Sequence, residues 1–360
     1  MAKTKTREDW IKLMKDLLET FESQPQVHKE KGDGAYWAVT NFRAQKMRVS
    51  AQNRITHLGK VGSQTPDTET FLDLAKLVEG FTAGRLADYI LPHPTWPWAS
   101  RILGVGAGNL PKVTGLIEAF GTHYDVGAPE IPPFVTREPE AYKVVVAGKV
   151  VEKVGIWVEG IERLSMVSKL WKYSGWDVDP TGVATKRKSG QKITFNDDLK
   201  VATYRLGGAI VRAGSGPTED APNRKAGIWY TGGDRAEGYS RGYAGHRSVI
   251  RSMKETQGFR IMPTPEERMC YNCDPPLVVV KKKALYCPVC GGKLSLKEEP
   301  PGVLYLGHLH QMAMRLMIKD WLICLWVVWR QALPGLPTPP PYNVARLGEP
   351  PIDPWKMVDK

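Results

Sequence analysis

Long apolar runs are missing from this 360-residue sequence: the longest, Trp321 to Trp329, is about half of the roughly 20 residues that a membrane-spanning helix needs. That run is expected to be a buried helix, with no membrane partner. The N-terminus MAKTKTREDW mixes charges and has no apolar core, so a secretory signal is not expected and the chain is assigned to the cytoplasm. Nucleotide-enzyme signatures are missing as well. There is no G-x-x-x-x-G-K-[ST] phosphate loop, and the nearest approach to G-x-G-x-x-G, starting at Gly104, has Asn109 where the third glycine belongs. Residues 1 to 60 contain no apolar strand with a leading aspartate of the kind that holds catalytic magnesium.

Acidic charge is also in deficit. Lys and Arg number 50 against 38 Asp and Glu, a formal net charge of +12 that favours polyanionic partners. The excess is local: residues 186 to 260 hold 15 basic and 7 acidic side chains. That stretch carries Lys186, Arg187, Lys188 and Lys192, then Arg205, then Tyr239, Arg241, Tyr243, Arg247 and Arg251. Basic groups there can neutralise phosphates, and exposed tyrosines can stack on unpaired bases. The bland alternative is a set of solvated helix faces.

The apolar pattern predicts mainly helix. Trp10, Leu13, Met14, Leu17, Leu18 and Phe21 recur at helical spacing over 7–23, and further helices are predicted at 38–60 and 67–90. Together they read as a helical or coiled-coil arm, 1–92, through which the chain is expected to form a homo-oligomer. Asp67, Glu69 and Asp73 form one acidic face of the third helix. The prolines of LPHPTWPW end the arm. Strands are predicted at 144–146 and 156–158, and one helix over 161–171. Thr194 with Asp197 fits a capping box ahead of a helix over 195–213, and a basic helix comes at 240–256 after a glycine-rich loop. The tail from Pro334 is expected to be extended and peripheral.

Four of the cysteines form the sharpest motif. Cys270, Cys273, Cys287 and Cys290 make C-x2-C-x13-C-x2-C, two thiolate pairs on tight turns with the layout of a zinc ribbon around one structural Zn2+. A redox dithiol pair or unrelated buried cysteines is the alternative, and a catalytic zinc with His308 and His310 near in sequence is a weaker one. His308 and His310 are expected to be polar helix-start residues, and Cys324 a small core residue. A second motif, ILGVGAGNLPKVTGLIEAFG, resembles a helix-hairpin-helix in which Gly104, Gly106 and Gly108 expose backbone N–H groups to a phosphate. An ordinary glycine-rich turn is the competing reading.

From Arg101 to Gln331 the order of features resembles the C-terminal half of the transposases of bridge-RNA-guided insertion sequences. The segments that carry the resemblance are LGVGAGNLPKVTGLI, LWKYSGWDV, SGQKITFNDDLKVATYRLGGAIVRA, YSRGYAGHRSVIRSM and HLHQMAMRLMIKDWLICLWVVWR. The resemblance implies a helix-hairpin-helix, then a small domain whose serine joins DNA ends, then a closing helix. It makes DNA the expected partner, with structured RNA as the alternative. Two positions compete for the nucleophile: Ser189 keeps the serine–glycine pair, and Thr181 better keeps the distance to Asn196. The family's N-terminal ribonuclease-H-like domain with its four carboxylates has no counterpart here, so the sequence is expected to start at the family's coiled-coil arm. The full expectation is a mainly α chain with a small α/β part: the arm, a transposase-like DNA-binding domain over 99–260, a zinc ribbon inserted at 261–300, a closing helix over 301–333 and a Pro-rich tail over 334–360. It is either a DNA recombinase or a non-catalytic accessory or domesticated module.

Overall fold

The computed structural model describes residues 6–23, 33–60, 66–146, 149–178, 184, 190, 193–219, 222–232, 241–280, 286–296, 298–341, 344–345 and 348–359. In chain order the helices are α1 (Arg7–Ser23), α2 (Asp33–Lys60), α3 (Pro66–Ile90), α4 (Trp96–Ala99), α5 (Leu110–Glu118), α6 (Gly160–Arg163), α7 (Val167–Tyr173), α8 (Asp197–Gly214), α9 (Ile228–Thr231), α10 (Gly242–Thr256) and α11 (Leu306–Gln331). The strands are β1 (Thr122–Asp125), β2 (Glu140–Val146), β3 (Lys149–Val158), β4 (Arg260–Met262), β5 (Glu267–Cys270), β6 (Leu277–Val280), β7 (Ser295–Leu296) and β8 (Val303–Tyr305). The chain is mainly helical, as its periodicity predicts. No helix among the described residues is long and apolar enough to cross a membrane.

Two compact units result, Met1–Ala213 with Trp321–Lys360, and Gly214–Asp320. These divisions fall elsewhere than the boundaries drawn from sequence at 92, 260, 300 and 333. In the first unit α2 and α3 run antiparallel, with Asn41 buried in their seam. Its Nδ2 donates to Thr82 Oγ1 at 2.8 Å and to the Glu79 carbonyl at 3.2 Å, a buried polar pin that helps fix the register of the two helices. The acidic face of α3 is partly paired: Arg7 of α1 reaches Glu69 and Asp73, and Lys76 reaches Asp73 at 3.1 Å.

Glycine joins the predicted arm to α5. A Cβ on Gly115 of α5 would stand 2.2 Å from the Gly34 carbonyl oxygen of α2, so the two backbones touch where any side chain would hold them apart. Ala38 and Phe42 on the same helix are buried, as are Leu110, Leu116 and Ile117 on α5. That shared core explains why residues 1–92 belong to the same unit as the residues after them.

β1, β3 and β2 form an antiparallel sheet in that order, with Val144 opposite Val151. The single helix predicted over 161–171 is instead two short ones, α6 and α7. Leu164 leaves the helical region (φ −79, ψ 56) and its carbonyl accepts from Trp326 Nε1 at 2.6 Å, a bond to α11 that takes the place of the next helical one. α8 starts on Asn196 rather than Thr194: Asn196 Oδ1 accepts from Leu199 N–H at 2.9 Å, while its own N–H donates to the Tyr173 carbonyl at 2.7 Å. The C-terminal part of α11 is apolar on every side because it is enclosed: Trp321, Leu322, Ile323, Cys324, Leu325 and Trp326 are all at most 2% exposed. Arg330 there is fully buried, and it donates to the carbonyls of Ile161 and Pro337. Burial lowers its guanidinium to about 10.

The Pro-rich tail is anchored, not peripheral. Trp98 Nε1 donates to the Pro354 carbonyl at 2.7 Å, Leu103 N–H donates to Asp359 Oδ2 at 2.7 Å, and Met357 and Val358 are buried. A short 3-10 turn, Pro354–Met357, capped by the Asp353 side chain, carries these apolar residues into the core.

In the second unit β4 and β8 pair in parallel, Arg260 opposite Val303, so the segment between them leaves and returns at one place. Within that segment β6, β5 and β7 make a small antiparallel sheet. α10 meets the first part of α11 through two polar contacts, Tyr243 Oη to His310 Nδ1 at 2.7 Å and His246 Nε2 to Asp320 Oδ2 at 2.7 Å.

Candidate metal centre

The four cysteines converge. Cys270 ends β5, Cys273 comes next on a tight turn, and β6 returns antiparallel to β5 with Cys270 opposite Leu277. On the second turn Gly291, at φ +68, donates to the Cys287 carbonyl at 3.0 Å, and Cys287 N–H donates to the Gly292 carbonyl at 2.8 Å. Tyr286 bridges Lys293 across this turn. The β5–β6 hairpin therefore carries the first cysteine pair, Cys270 at the end of β5 and Cys273 in its turn.

All four sulfurs lie within 4.8 Å of one another, with Cys270 to Cys290 at 3.4 Å and Cys273 to Cys287 at 3.7 Å. A tetrahedral ion with metal–sulfur bonds of about 2.3 Å sets its sulfurs about 3.8 Å apart, so the cluster has the span of a four-thiolate site. Backbone amides point at the sulfurs, Val289 N–H at Cys287 and Gly292 N–H at Cys290, both at 3.4 Å. Such donors stabilise thiolate. They act in that direction on Cys287, which is drawn down to about 7 by the backbone N–H groups of Cys290 and Val289. Cys273 moves the other way, pushed up to about 12 by the thiols of Cys290 and Cys270. Four crowded thiols cannot all ionise unless a cation replaces their protons.

Packing favours a bound ion too. The local core is Cys270, Val279, Cys287 and Leu294, with Cys273 and Leu277 packed against it. So little apolar surface does not hold a sheet of this size by itself. Four thiolates would fill a tetrahedral sphere and leave no position for water or substrate. His308 is directed elsewhere, its Nδ1 2.8 Å from Glu299 Oε2, and His310 is taken by Tyr243; both stand near the start of α11. Among the described residues no other group of three or more His, Cys, Asp or Glu side chains converges in this way.

The residues expected to touch nucleic acid fall into three groups. Ser189, its rival Thr181, Lys186, Arg187, Lys188, Lys192 and Tyr239 lie outside the described residues. The glycine turn is only partly open: Gly106 N–H donates to Asn109 Oδ1 at 2.9 Å, and a Cβ on Gly104 would meet the Ala209 backbone of α8 at 2.5 Å. Gly108 alone is exposed. The first two glycines therefore serve packing and turn closure, and the Gly106 amide has no hydrogen left for a phosphate. The helix before the turn, α4, is a single turn.

The remaining candidates divide between the units, Arg205 in the first and Arg241, Tyr243, Arg247 and Arg251 in the second. Tyr243 is 5% exposed, held by His310 and Tyr230, so it is no platform for a base. Arg241 faces Asp320 at 3.7 Å, Arg247 is half-buried, and Arg251 is exposed but paired with Glu255. Arg205 is exposed, and its Nη1 donates to Gln45 Oε1. Arg48 and Lys112, near Arg205, drew no notice from the sequence, because they belong to other elements and to no basic run.

No family model matches this sequence, and neither a curated protein nor a solved structure matches it.

Proposed function

We propose that this chain is a nucleic-acid-binding protein of the transposase-like kind, with one structural zinc ion on Cys270, Cys273, Cys287 and Cys290. The metal half rests on one observation: four sulfurs from two turns within 4.8 Å, with no room for a further ligand. The nucleic-acid half rests on charge, +12 over the chain with the excess concentrated in 186–260, and on the order of motifs from Arg101 to Gln331. In this reading zinc holds the ribbon and takes no part in chemistry.

The recombinase form of the proposal assigns Ser189 Oγ as the nucleophile on a DNA phosphodiester, forming a phosphoserine link and releasing a deoxyribose hydroxyl. Its test is a covalent protein–DNA adduct on nicked or branched DNA with magnesium. The adduct is expected to vanish in Ser189→Ala and persist in Thr181→Ala. The reverse pattern transfers the role to Thr181, and no adduct with any substrate removes the recombinase form. A non-catalytic module is the second reading, favoured by the finding that among the described residues no set of carboxylates converges as two-metal phosphodiester cleavage requires.

A further inference from the structure

Lys112 sits in the first turn of α5, half-buried, its ammonium 5.8 Å over the ring of Phe42. Two arginines act on it, Arg48 from α2 and Arg205 from α8, together with the carboxylate of Glu79 from α3. That carboxylate is already in use. Arg48 Nε donates to its Oε2, and Gln45 Nε2 donates to its Oε1 at 3.4 Å, while Gln45 Oε1 accepts from Arg205. One hydrogen-bonded chain, Arg48–Glu79–Gln45–Arg205, thus ties both guanidinium groups to the face of α2 whose Phe42 carries the Lys112 ammonium. Among the described residues, Lys112 itself makes no hydrogen bond or ion pair.

Three cations surround one carboxylate that Arg48 already holds, and the half-buried ammonium lacks an acceptor. A shielded charge without a partner is costly, and the cost disappears when an anion supplies the acceptor. Burial first, and the two arginines after it, hold Lys112 below the ordinary lysine range, although Glu79 acts in the other direction. The first turn of α5 adds to the pull on an anion. Asn109, its N-cap, makes no capping bond because its side chain is spent on Gly106 and Gly104, so the positive end of the helix is not neutralised from within.

We infer that Arg48, Lys112 and Arg205 form an anion site that takes a phosphate group of a polynucleotide backbone. The ligand's identity as polynucleotide rests on the proposed nucleic-acid function; the anion site rests on the cluster alone. Two guanidinium groups and an ammonium suit a phosphodiester's two free oxygens, and nothing in the cluster reads a base. The site fixes position on the strand, not sequence.

The test uses the full zinc-loaded chain with two probes, inorganic phosphate and a mixed-sequence DNA duplex, and two variants, Lys112→Met and Arg205→Gln. Lys112→Met keeps the apolar stem and removes a shielded charge, so its melting temperature is expected to equal or exceed that of the parent. Its duplex affinity is expected to fall about tenfold, with the slope of log K against log salt smaller by about 0.9 for the lost phosphate contact. Phosphate is expected to raise the melting temperature of the parent but not of Lys112→Met. Arg205→Gln, an exposed substitution with little scope to disturb folding, is expected to show the same two losses. Parent-like duplex affinity and phosphate response in both variants overturn the site. Phosphate protection that depends on Lys112, in a protein that binds no duplex, overturns the polynucleotide as ligand and with it the nucleic-acid function.

Discussion

Cys270 Sγ and Cys290 Sγ lie 3.4 Å apart, one from each end of the ribbon's cysteine pattern, and each belongs to a different turn. That spacing is short enough for one ion to bind both sulfurs, and a cation would offset the repulsion between their thiolates. Fresh protein is expected to carry one equivalent of zinc. Cys290→Ser, which leaves three sulfurs, is expected to lose most of it and to open residues 263–302 to protease. Less than half an equivalent in the parent, by metal analysis, contradicts the site.

Gly115 is expected to tolerate no side chain. A methyl there meets the Gly34 carbonyl at 2.2 Å, so α2 and α5 must separate. Gly115→Ala is expected to cost about 3 kcal/mol, lowering the melting temperature by roughly 5–10 °C while zinc content stays at the parent value. An unchanged melting curve contradicts the packing.

How much of the fold and the site is legible in the sequence depends on the range of the signal. The four cysteines and the first three helices are visible because spacing alone carries them: two C-x2-C pairs, and apolar residues three and four apart. Asn196 as the cap of α8 is passed over in favour of Thr194, one residue pattern looking like another until Tyr173 fixes the choice. Arg48, Glu79, Lys112 and Arg205 lie on four helices and share no local pattern, so only packing brings them together. The anchored tail is hidden for a similar reason, since proline content predicts extension and says nothing of what Met357 and Val358 cover.

Glu118 makes stability depend on pH. Burial pushes its carboxyl up to about 7, and Glu159 and Asp33 add to the rise. A carboxyl raised above its unfolded value of about 4.3 is more protonated in the folded state, so its favourable contribution is complete below about pH 4.3 and is lost as pH rises through about 7. Glu118→Gln mimics the protonated form. It is expected to match the parent near pH 4 and to be more stable by on the order of 1–3 kcal/mol at pH 8, by urea unfolding. Neighbouring His93, lowered to about 3 by burial, keeps its pH response in both proteins, and the difference between them reports Glu118. A variant less stable at pH 8 than the parent contradicts the assignment.

The tail is expected to matter. Ending the chain after Pro350 strips the Pro354 carbonyl from Trp98 Nε1 and uncovers the core beneath Met357 and Val358. A buried donor left without its acceptor costs about 1–3 kcal/mol, and the lost apolar cover adds to that. Thermal unfolding of the shortened chain is expected to begin earlier, with zinc retained. Identical unfolding contradicts a docked tail.

Affinity of the zinc-loaded chain for a mixed-sequence DNA duplex, measured across a salt series, tests the central claim most directly. Phosphate binding releases counterions, and log K is expected to fall linearly with log salt, with a slope of about −0.9 for each phosphate neutralised. Affinity that does not change with salt, or no binding at the lowest salt, contradicts it.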